Sequence, residues 1–351
     1  MAKLNEGDVI EGIFTIALSL YLAYGSVDKV KLNKIRTKID TAMFNTGRFK
    51  YSVVEGHARQ RGKNPPDFFN VNFEMRLKPE SIQGAFDKEY EILYKSSKDI
   101  GNIDKKIDAL IRAVNSSSFS RKAETAVDKF LSNNIGEVVT FTVIADGIAG
   151  ESSGGDIKGD VMLEVFAVKK NGKQKVISGT IPFSLKSESK TVANLSPYFG
   201  MLDIAKAIGI KWDAETKYQR LSKPFKGVEE QNAKFELIRA MYKELTESIV
   251  KESTKSTFTN NSLEFLKKSI FGSDLADVID VQENNVKEIT VEYFEQIRKN
   301  LTLVAKINGN NLVFADKKTN TAIFQIRTKL RPPPANEAKF YLEVGSGIYS
   351  K

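Results

Sequence analysis

Residues 158–186 read KGDVMLEVFAVKKNGKQKVISGTIPFSLK, and the fold turns on how this stretch pairs. Two strand-like apolar runs flank Asn171-Gly172, a strong hairpin turn signal, so the pattern predicts an antiparallel β-hairpin over residues 159–187. Asp160 opens the first run, 11 residues before Asn171; Ser184 and Lys186 close the second, 12 and 14 residues after Gly172. The hairpin would bring all three to the same open end, and Ser184 and Lys186, two apart, would share a face. A carboxylate and an ammonium converging at a strand end suit metal-assisted phosphodiester hydrolysis. The carboxylate holds Mg²⁺, which polarises the phosphate and activates water, while the lysine orients or deprotonates the nucleophile. The competing reading is an ordinary solvated strand end.

A third acid comes from the N-terminus. Residues 7–24 form an expected helix, apolar on nearly every face and ended by Gly25, with Glu11 inside it. The apolar stretch is short for a membrane span, which needs about 20 residues. It also lacks the basic start and cleavage pattern of a signal peptide, so it reads as a core helix. A lone acid on such a helix is costly without a partner. Glu11 completes a metal shell with Asp160 if the helix packs beside the hairpin.

Taken in order, Glu-bearing helix, strand, Asp-led strand and a strand carrying x-x-Lys resemble the PD-(D/E)xK, restriction-endonuclease-like nucleases. The string FSLKS at 183–187 is similar to an F-S-[IL]-K-S restriction-enzyme subgroup. The resemblance covers residues 6–25 and 137–210, with the C-terminal strands as a further extension. It implies a helix-strand-strand-strand-helix-strand core and Mg²⁺-dependent cleavage of double-stranded DNA. It places catalytic roles on Asp160, Ser184, Lys186 and Glu11, with Asp160 and Glu11 as metal ligands. The sequence departs from the family at two positions. Gly159 stands where a proline precedes the motif Asp, and the neutral Ser184 replaces the second motif carboxylate. Glu164 and Asp156 are alternative sources of that charge.

Composition sets the outer bounds. The 351 residues are 41% hydrophobic and 28% charged, ordinary for a globular chain. Absent cysteines exclude disulfides and thiolate metal sites, and a single histidine, His57, excludes His-rich zinc clusters. A reducing cytoplasm is expected, in a bacterial cell or for a phage gene, with no membrane association and a homodimer as the assembly. The net charge of +9 suits an anionic partner, nucleic acid first, or simply a lysine-rich surface.

The remaining elements fall on either side of the hairpin. DKVKLNKIRTKIDTAMF predicts a basic helix with Val30, Ile35, Ile39 and Met43 as its apolar stripe. GHARQRGKNPPD predicts a loop, where Arg59, Arg61 and Lys63 would contact DNA phosphates or simply face water. FFNVNFEMRL alternates like a strand, and residues 80–134 look helical, with Ser120 and Glu124 placed to cap a helix. Beyond the hairpin come helices and then strands from residue 301 onward, expected to complete the same sheet. In FQIRTKLR, Gln325, Arg327 and Lys329 share one strand face, either gripping DNA or guarding a sheet edge. The expected organisation is a mixed α/β fold with a core helix at 1–25, a mostly helical insertion at 26–135 and the nuclease core at 136–351. The rival to an active nuclease is a non-catalytic DNA-binding or virion protein that keeps the fold. An interaction protein without nuclease ancestry is the third reading.

Overall fold

The computed structural model describes residues 6–39, 41–59, 67–87, 103–134, 137–147, 158–168, 174–176, 180–187, 191–332 and 337–350. The fold is mixed α/β, as expected, and divides into two units, residues 1–188 with 271–288 and residues 189–270 with 289–351.

The first unit is built on α1 (Glu6–Tyr24), which is buried from Val9 to Ala23. By length and composition α1 could cross a membrane, but 83% of that window is buried inside the fold. It packs on the strands of an eight-stranded sheet. Those strands are β1 (Arg48–Arg59), β2 (Asp67–Arg76), β3 (Val138–Asp146), β4 (Val161–Val168), β5 (Gln174–Val176), β6 (Ile181–Ser187), β8 (Asp277–Val281) and β9 (Val286–Ile289). The order is β1-β2-β3-β4-β6-β8-β9, with β5 paired to β4. β3, β4 and β6 form an antiparallel meander, and β8 lies parallel to β6. Helices α2 (Lys29–Lys38), α3 (Pro79–Phe86), α4 (Ile103–Ser116) and α5 (Ser118–Asn133) complete the unit.

Phe14 of α1 meets Phe183 of β6 edge-on with ring centroids 5.8 Å apart, and Phe119 of α5 at 5.5 Å. This aromatic cluster fixes the Glu11-bearing helix onto the Lys186-bearing strand. A buried polar triangle does the same at the helix start. Lys106 of α4, 2% exposed, donates to Glu6 Oε1 at 2.5 Å and to Ser187 Oγ at 2.9 Å, and Ser187 Oγ donates to Glu6 Oε1 at 2.9 Å. Removing one partner of such a pair strands the other charge away from water. Lys106→Ala should therefore destabilise the first unit by about 3–5 kcal/mol in urea unfolding; a loss within experimental error would show the triangle to be dispensable.

The second unit holds β7 (Thr191–Leu195), β10 (Leu303–Asn308), β11 (Asn311–Asp316), β12 (Ala322–Arg331) and β13 (Glu337–Val344), in the antiparallel order β10-β11-β12-β13-β7. With them are α6 (Phe199–Ile208), α7 (Ala214–Tyr218), α8 (Gly227–Glu252), α9 (Phe258–Phe271) and α10 (Val291–Arg298). Phe314 and Phe324 stack at 4.0 Å in its core, with Phe258 beside Phe314.

Several expectations change. Residues 26–135, expected as a mostly helical insertion, hold four α-helices among the described residues but also β1 and β2, and β2 pairs in parallel with β3 and so joins the hairpin's sheet. The C-terminal strands do not complete the hairpin's sheet but form a second sheet with β7. Period-two alternation shows that a strand is half-buried without showing what it pairs with. In α2 the buried side is Leu32, Ile35 and Arg36, whereas Val30 and Met43 are 77% and 64% exposed. The helix spans only Lys29–Lys38, so the longer stripe never forms. The first four residues of GHARQRGK are strand, since β1 runs to Arg59, and the other four lie outside the described residues. In α5 the N-cap is Ser117, while Ser120 is buried within the helix and Glu124 accepts a bond from Tyr21.

Candidate active site

The long second strand read across QKVISGTIPFSLK is two strands, β5 and β6, both antiparallel to β4. The Asn171-Gly172 turn lies outside the described residues, as does Asp156. The open end forms as expected. Val161 faces Phe183 across the ladder, and Asp160, one residue before β4, donates its backbone N–H to Phe183 O at 2.8 Å. Its carbonyl accepts from Asp146 N at 2.9 Å, so the backbone at Asp160 is held from both neighbouring strands.

Three donors then converge on one carboxylate oxygen, Asp160 Oδ2. Ser184 Oγ donates at 3.0 Å and Leu185 N at 2.9 Å, and Lys186 Nζ lies at 3.6 Å. Ser184 is fully buried, whereas the Asp160 and Lys186 side chains keep 27% and 29% exposure. The serine and the backbone amide fix the carboxylate, and the lysine stays open to an incoming anion. Ser184 therefore serves Asp160 as a buried hydrogen-bond donor. Glu164 lies further along β4, across from Thr142, and takes no part in this cluster.

The glycine before Asp160 has a reason of its own. Gly159 N donates to Asp274 Oδ2 at 2.8 Å and Lys158 N to Asp274 Oδ1 at 3.0 Å. A proline at this position would have no N–H to give. A Cβ there would sit 2.8 Å from Pro182 Cβ and 2.9 Å from Asp274 Oδ2. Gly159→Ala should cost about 1–3 kcal/mol of stability through that overlap. A thermal melt checks it, and an unchanged midpoint would mean the strand end yields freely.

Glu11 is the unusual member. Three polar residues lie buried in α1, and two are satisfied within the helix, Thr15 bonding Glu11 O at 2.8 Å and Ser19 bonding Thr15 O at 2.7 Å. Glu11 is 8% exposed and its Oε2 has no hydrogen-bond partner among the described residues. Burial pushes its carboxyl well above the usual glutamate range. The charges of Asp160 and Asp8 push it the same way, and Lys186 pulls it back. Glu11, Asp160 and Lys186 thus share one electrostatic environment, which the sequence reading had to assume.

Asp8, one helical turn before Glu11, was missed as a neighbour; the i, i+3 spacing was the available signal. It accepts from Ser81 Oγ at 3.0 Å. Asp280 was missed as well. It is 1% exposed and sits in register with Lys186 on the parallel strand β8, and its sign was an acid inside the apolar run DVIDV.

No group of three or more His, Cys, Asp or Glu side chains converges as a metal site among the described residues. Mg²⁺ is commonly held by only one or two protein carboxylates, with waters and substrate phosphate filling the rest. Glu11 and Asp160 fit that smaller donor set, and the orphaned Glu11 oxygen is the observation in its favour.

The expected DNA contacts divide. Arg61 and Lys63 lie outside the described residues, and Arg59 ends β1 opposite Asp67. Gln325, Arg327 and Lys329 do lie along β12, but β12 is an interior strand of its sheet, and its neighbour β13 supplies acids to all three. Gln325 Nε2 bonds Glu343 at 2.9 Å, Arg327 Nε bonds the same carboxylate at 2.5 Å, and Lys329 meets Glu337 at 3.0 Å. Arg327 also lies over the Tyr341 ring. His57 packs edge-on to Phe69 at 5.2 Å. No family model, no curated protein and no solved structure matches the chain.

Proposed function

We propose that the chain is a Mg²⁺-dependent DNA endonuclease of the restriction-endonuclease-like kind. The observation that carries this reading is the Asp160–Lys186 pair at one end of the β4–β6 ladder, 3.6 Å apart, with the buried Glu11 carboxyl within reach of both charges' fields. Support also comes from the chain order, in which α1 precedes the β3-β4-β6 meander and β8 returns parallel to β6. The resemblance implies a helix, three strands, a helix and a further strand; α1, β3, β4 and β6 follow in that chain order, with β1 and β2 between α1 and β3.

Asp160 and Glu11 would hold the metal. When bound, Mg²⁺ supplies Lewis-acid polarisation of the scissile phosphate. Ser184 and the Leu185 amide keep the Asp160 carboxylate in one orientation. Lys186 would hydrogen-bond a phosphate oxygen or the attacking water through its ammonium and balance negative charge that develops there. Double-stranded DNA is the proposed substrate, with the +9 chain charge favouring its approach. Arg59, Arg61 and Lys63 are the first choice for phosphate contacts. Gln325, Arg327 and Lys329 rank lower, since a phosphate there would compete with Glu343 and Glu337. A cytoplasmic setting and a homodimer belong to the same proposal.

A second reading has its own observation. Ser184 is committed to Asp160 and adds no negative charge, so a chain that keeps the fold as a non-catalytic DNA-binding protein would look the same at this position. Incubation with supercoiled plasmid separates the two. Nicking or linearisation with Mg²⁺ that stops in EDTA supports the nuclease; retained DNA binding with no cleavage at any Mg²⁺ or Mn²⁺ concentration supports the second reading.

A further inference from the structure

We propose that the second unit makes a DNA-backbone contact of its own, through Arg331 and Lys339 at the end of the β12–β13 pair. This contact rests on the nuclease reading for its choice of duplex DNA as the polyanion. The charge of the chain is unevenly divided. Residues 189–270 and 289–351 hold 24 Lys and Arg against 15 Asp and Glu, which leaves 29 of each kind for the first unit. The whole net charge of +9 therefore belongs to the second unit, and the unit with the candidate active site is neutral. A polyanion approaching the chain is drawn to the second unit.

The strand register gives part of that charge a place. β11 pairs with β12 as far as Ile326, and β7 pairs with β13 from Phe340 onward. Among the described residues, the rungs Lys329–Lys339 and Arg331–Glu337 therefore have no strand on either side. They form a two-stranded ribbon, an element that the major groove of DNA admits. Cross-strand partners share a face, as do residues two apart, so these four side chains project together. Glu337 is the one acid among them. Lys329 Nζ lies 3.0 Å from its carboxylate, Lys339 Nζ 3.1 Å and Arg331 Nε 3.7 Å. Hydrogen bonds from Lys329 and Lys339 hold that carboxyl below the usual glutamate range, so it counts as a full negative charge. Three cations around one carboxylate leave a surplus of two. Residues 332–336, PPPAN, link the strands in sequence and add no charge.

Sheet stability alone does not call for this surplus. Lys329 stands directly opposite Lys339, and like charges across a ladder destabilise it. Further along the same face Arg327 pairs one to one with Glu343, the ordinary arrangement. Local rules of this kind are broken where function requires it. Lys329 is the least exposed of the three cations and holds Glu337 in place. Arg331 and Lys339 keep 60% and 59% exposure, which leaves them open to phosphate oxygens. Arginine also presents a planar fork that matches phosphate geometry.

The test measures binding of the full chain to a short fluorescein-labelled DNA duplex in EDTA, so no cleavage intervenes. Arg331→Gln combined with Lys339→Gln removes two charges from the ribbon. Lys206→Gln combined with Lys255→Gln removes two similarly exposed charges elsewhere in the unit, each paired with its own acid. The ribbon pair should weaken binding about tenfold or more at low salt and lower the slope of log K against log salt by about 1.8, roughly 0.9 per phosphate contact. The control pair should lose less than about threefold. Both should melt close to the parent, since every altered side chain is exposed. Arg331→Lys combined with Lys339→Arg keeps both charges and should bind as the parent does. An unchanged slope in the ribbon pair, or an equal loss in the control pair, would overturn this contact and leave the nuclease reading in place. A parent that binds no DNA would overturn both. Binding through the ribbon without Mg²⁺-dependent nicking of plasmid would keep the contact and remove the nuclease.

Discussion

In the proposed nuclease, Asp160→Ala and Lys186→Ala should each lower Mg²⁺-dependent plasmid cleavage by about 10²–10³-fold or more, since each removes a charge that would act on the reacting phosphate. The Lys186 side chain is 29% exposed and meets Asp160 Oδ2 at only 3.6 Å, so its loss leaves the fold intact. Asp160 needs more care. Ser184 Oγ and Leu185 N both rely on its Oδ2, and alanine would leave the buried serine without its acceptor, a cost of about 1–3 kcal/mol. Asp160→Asn separates the two effects, because the amide oxygen still accepts both bonds while the negative charge is gone. Cleavage should fall as far in Asp160→Asn as in Asp160→Ala, with a melting temperature close to that of the parent. Parent-like cleavage by either Asp160→Asn or Lys186→Ala would remove that residue from the catalytic machinery.

The second large effect concerns Glu11, and its sign follows from burial. The folded state holds the Glu11 carboxyl above its unfolded pKa, so folding takes up a proton. This contribution to stability is fully present below the unfolded value near 4.5 and is lost as pH rises through the folded value. Glutamine mimics the protonated acid at every pH. Glu11→Gln should therefore melt several degrees above the parent at pH 8, each kcal/mol being worth about 2–4 °C in a domain of this size. The difference should shrink as pH falls toward 4.5. Added Mg²⁺ tests the ligand role without any cleavage assay. A cation bound between Glu11 and Asp160 raises the parent's melting temperature at pH 8 through mass action, and Glu11→Gln should lose most of that rise. A pH-independent difference between the two proteins would refute the buried-acid account, and equal Mg²⁺ responses would place Glu11 outside the metal shell.

What the sequence disclosed and what it hid divide along physical lines. Asp160 and Lys186 were legible because a hairpin is local, and the register on either side of its turn sets which residues meet at the far end. α1 was legible because an all-round apolar helix has only the core to occupy. The Asp274 carboxylate that requires glycine at 159 comes from a segment 115 residues away, and no local pattern reports such a partner. The acids facing Gln325, Arg327 and Lys329 were hidden for a related reason. A row of cations at period two looks the same whether solvent, phosphate or a neighbouring strand lies opposite, and only the β12–β13 register shows Gln325 beside Glu343. Met43 misled because an apolar period was extended past the point where the helix ends, and Val30 because it lies in the first turn of the helix, off the side that Leu32, Ile35 and Arg36 bury.

The interruption of the first unit by residues 189–270 has a consequence for how the chain is born. β6 leaves the ribosome about 90 residues ahead of its parallel partner β8, a delay of roughly 5–20 s at ordinary translation rates. During that interval the strand bearing Ser184 and Lys186 has β4 on one side and an unpaired edge on the other, the kind of template on which nascent chains pair wrongly. Asp274, which anchors the backbone ahead of Asp160, arrives equally late. A nascent chain ending before residue 271 would hold every acid and base of the candidate site except Asp280, yet neither β8 nor the Asp274 anchor would be there to set their geometry. The proposed site would thereby take up its geometry only once synthesis has passed β8.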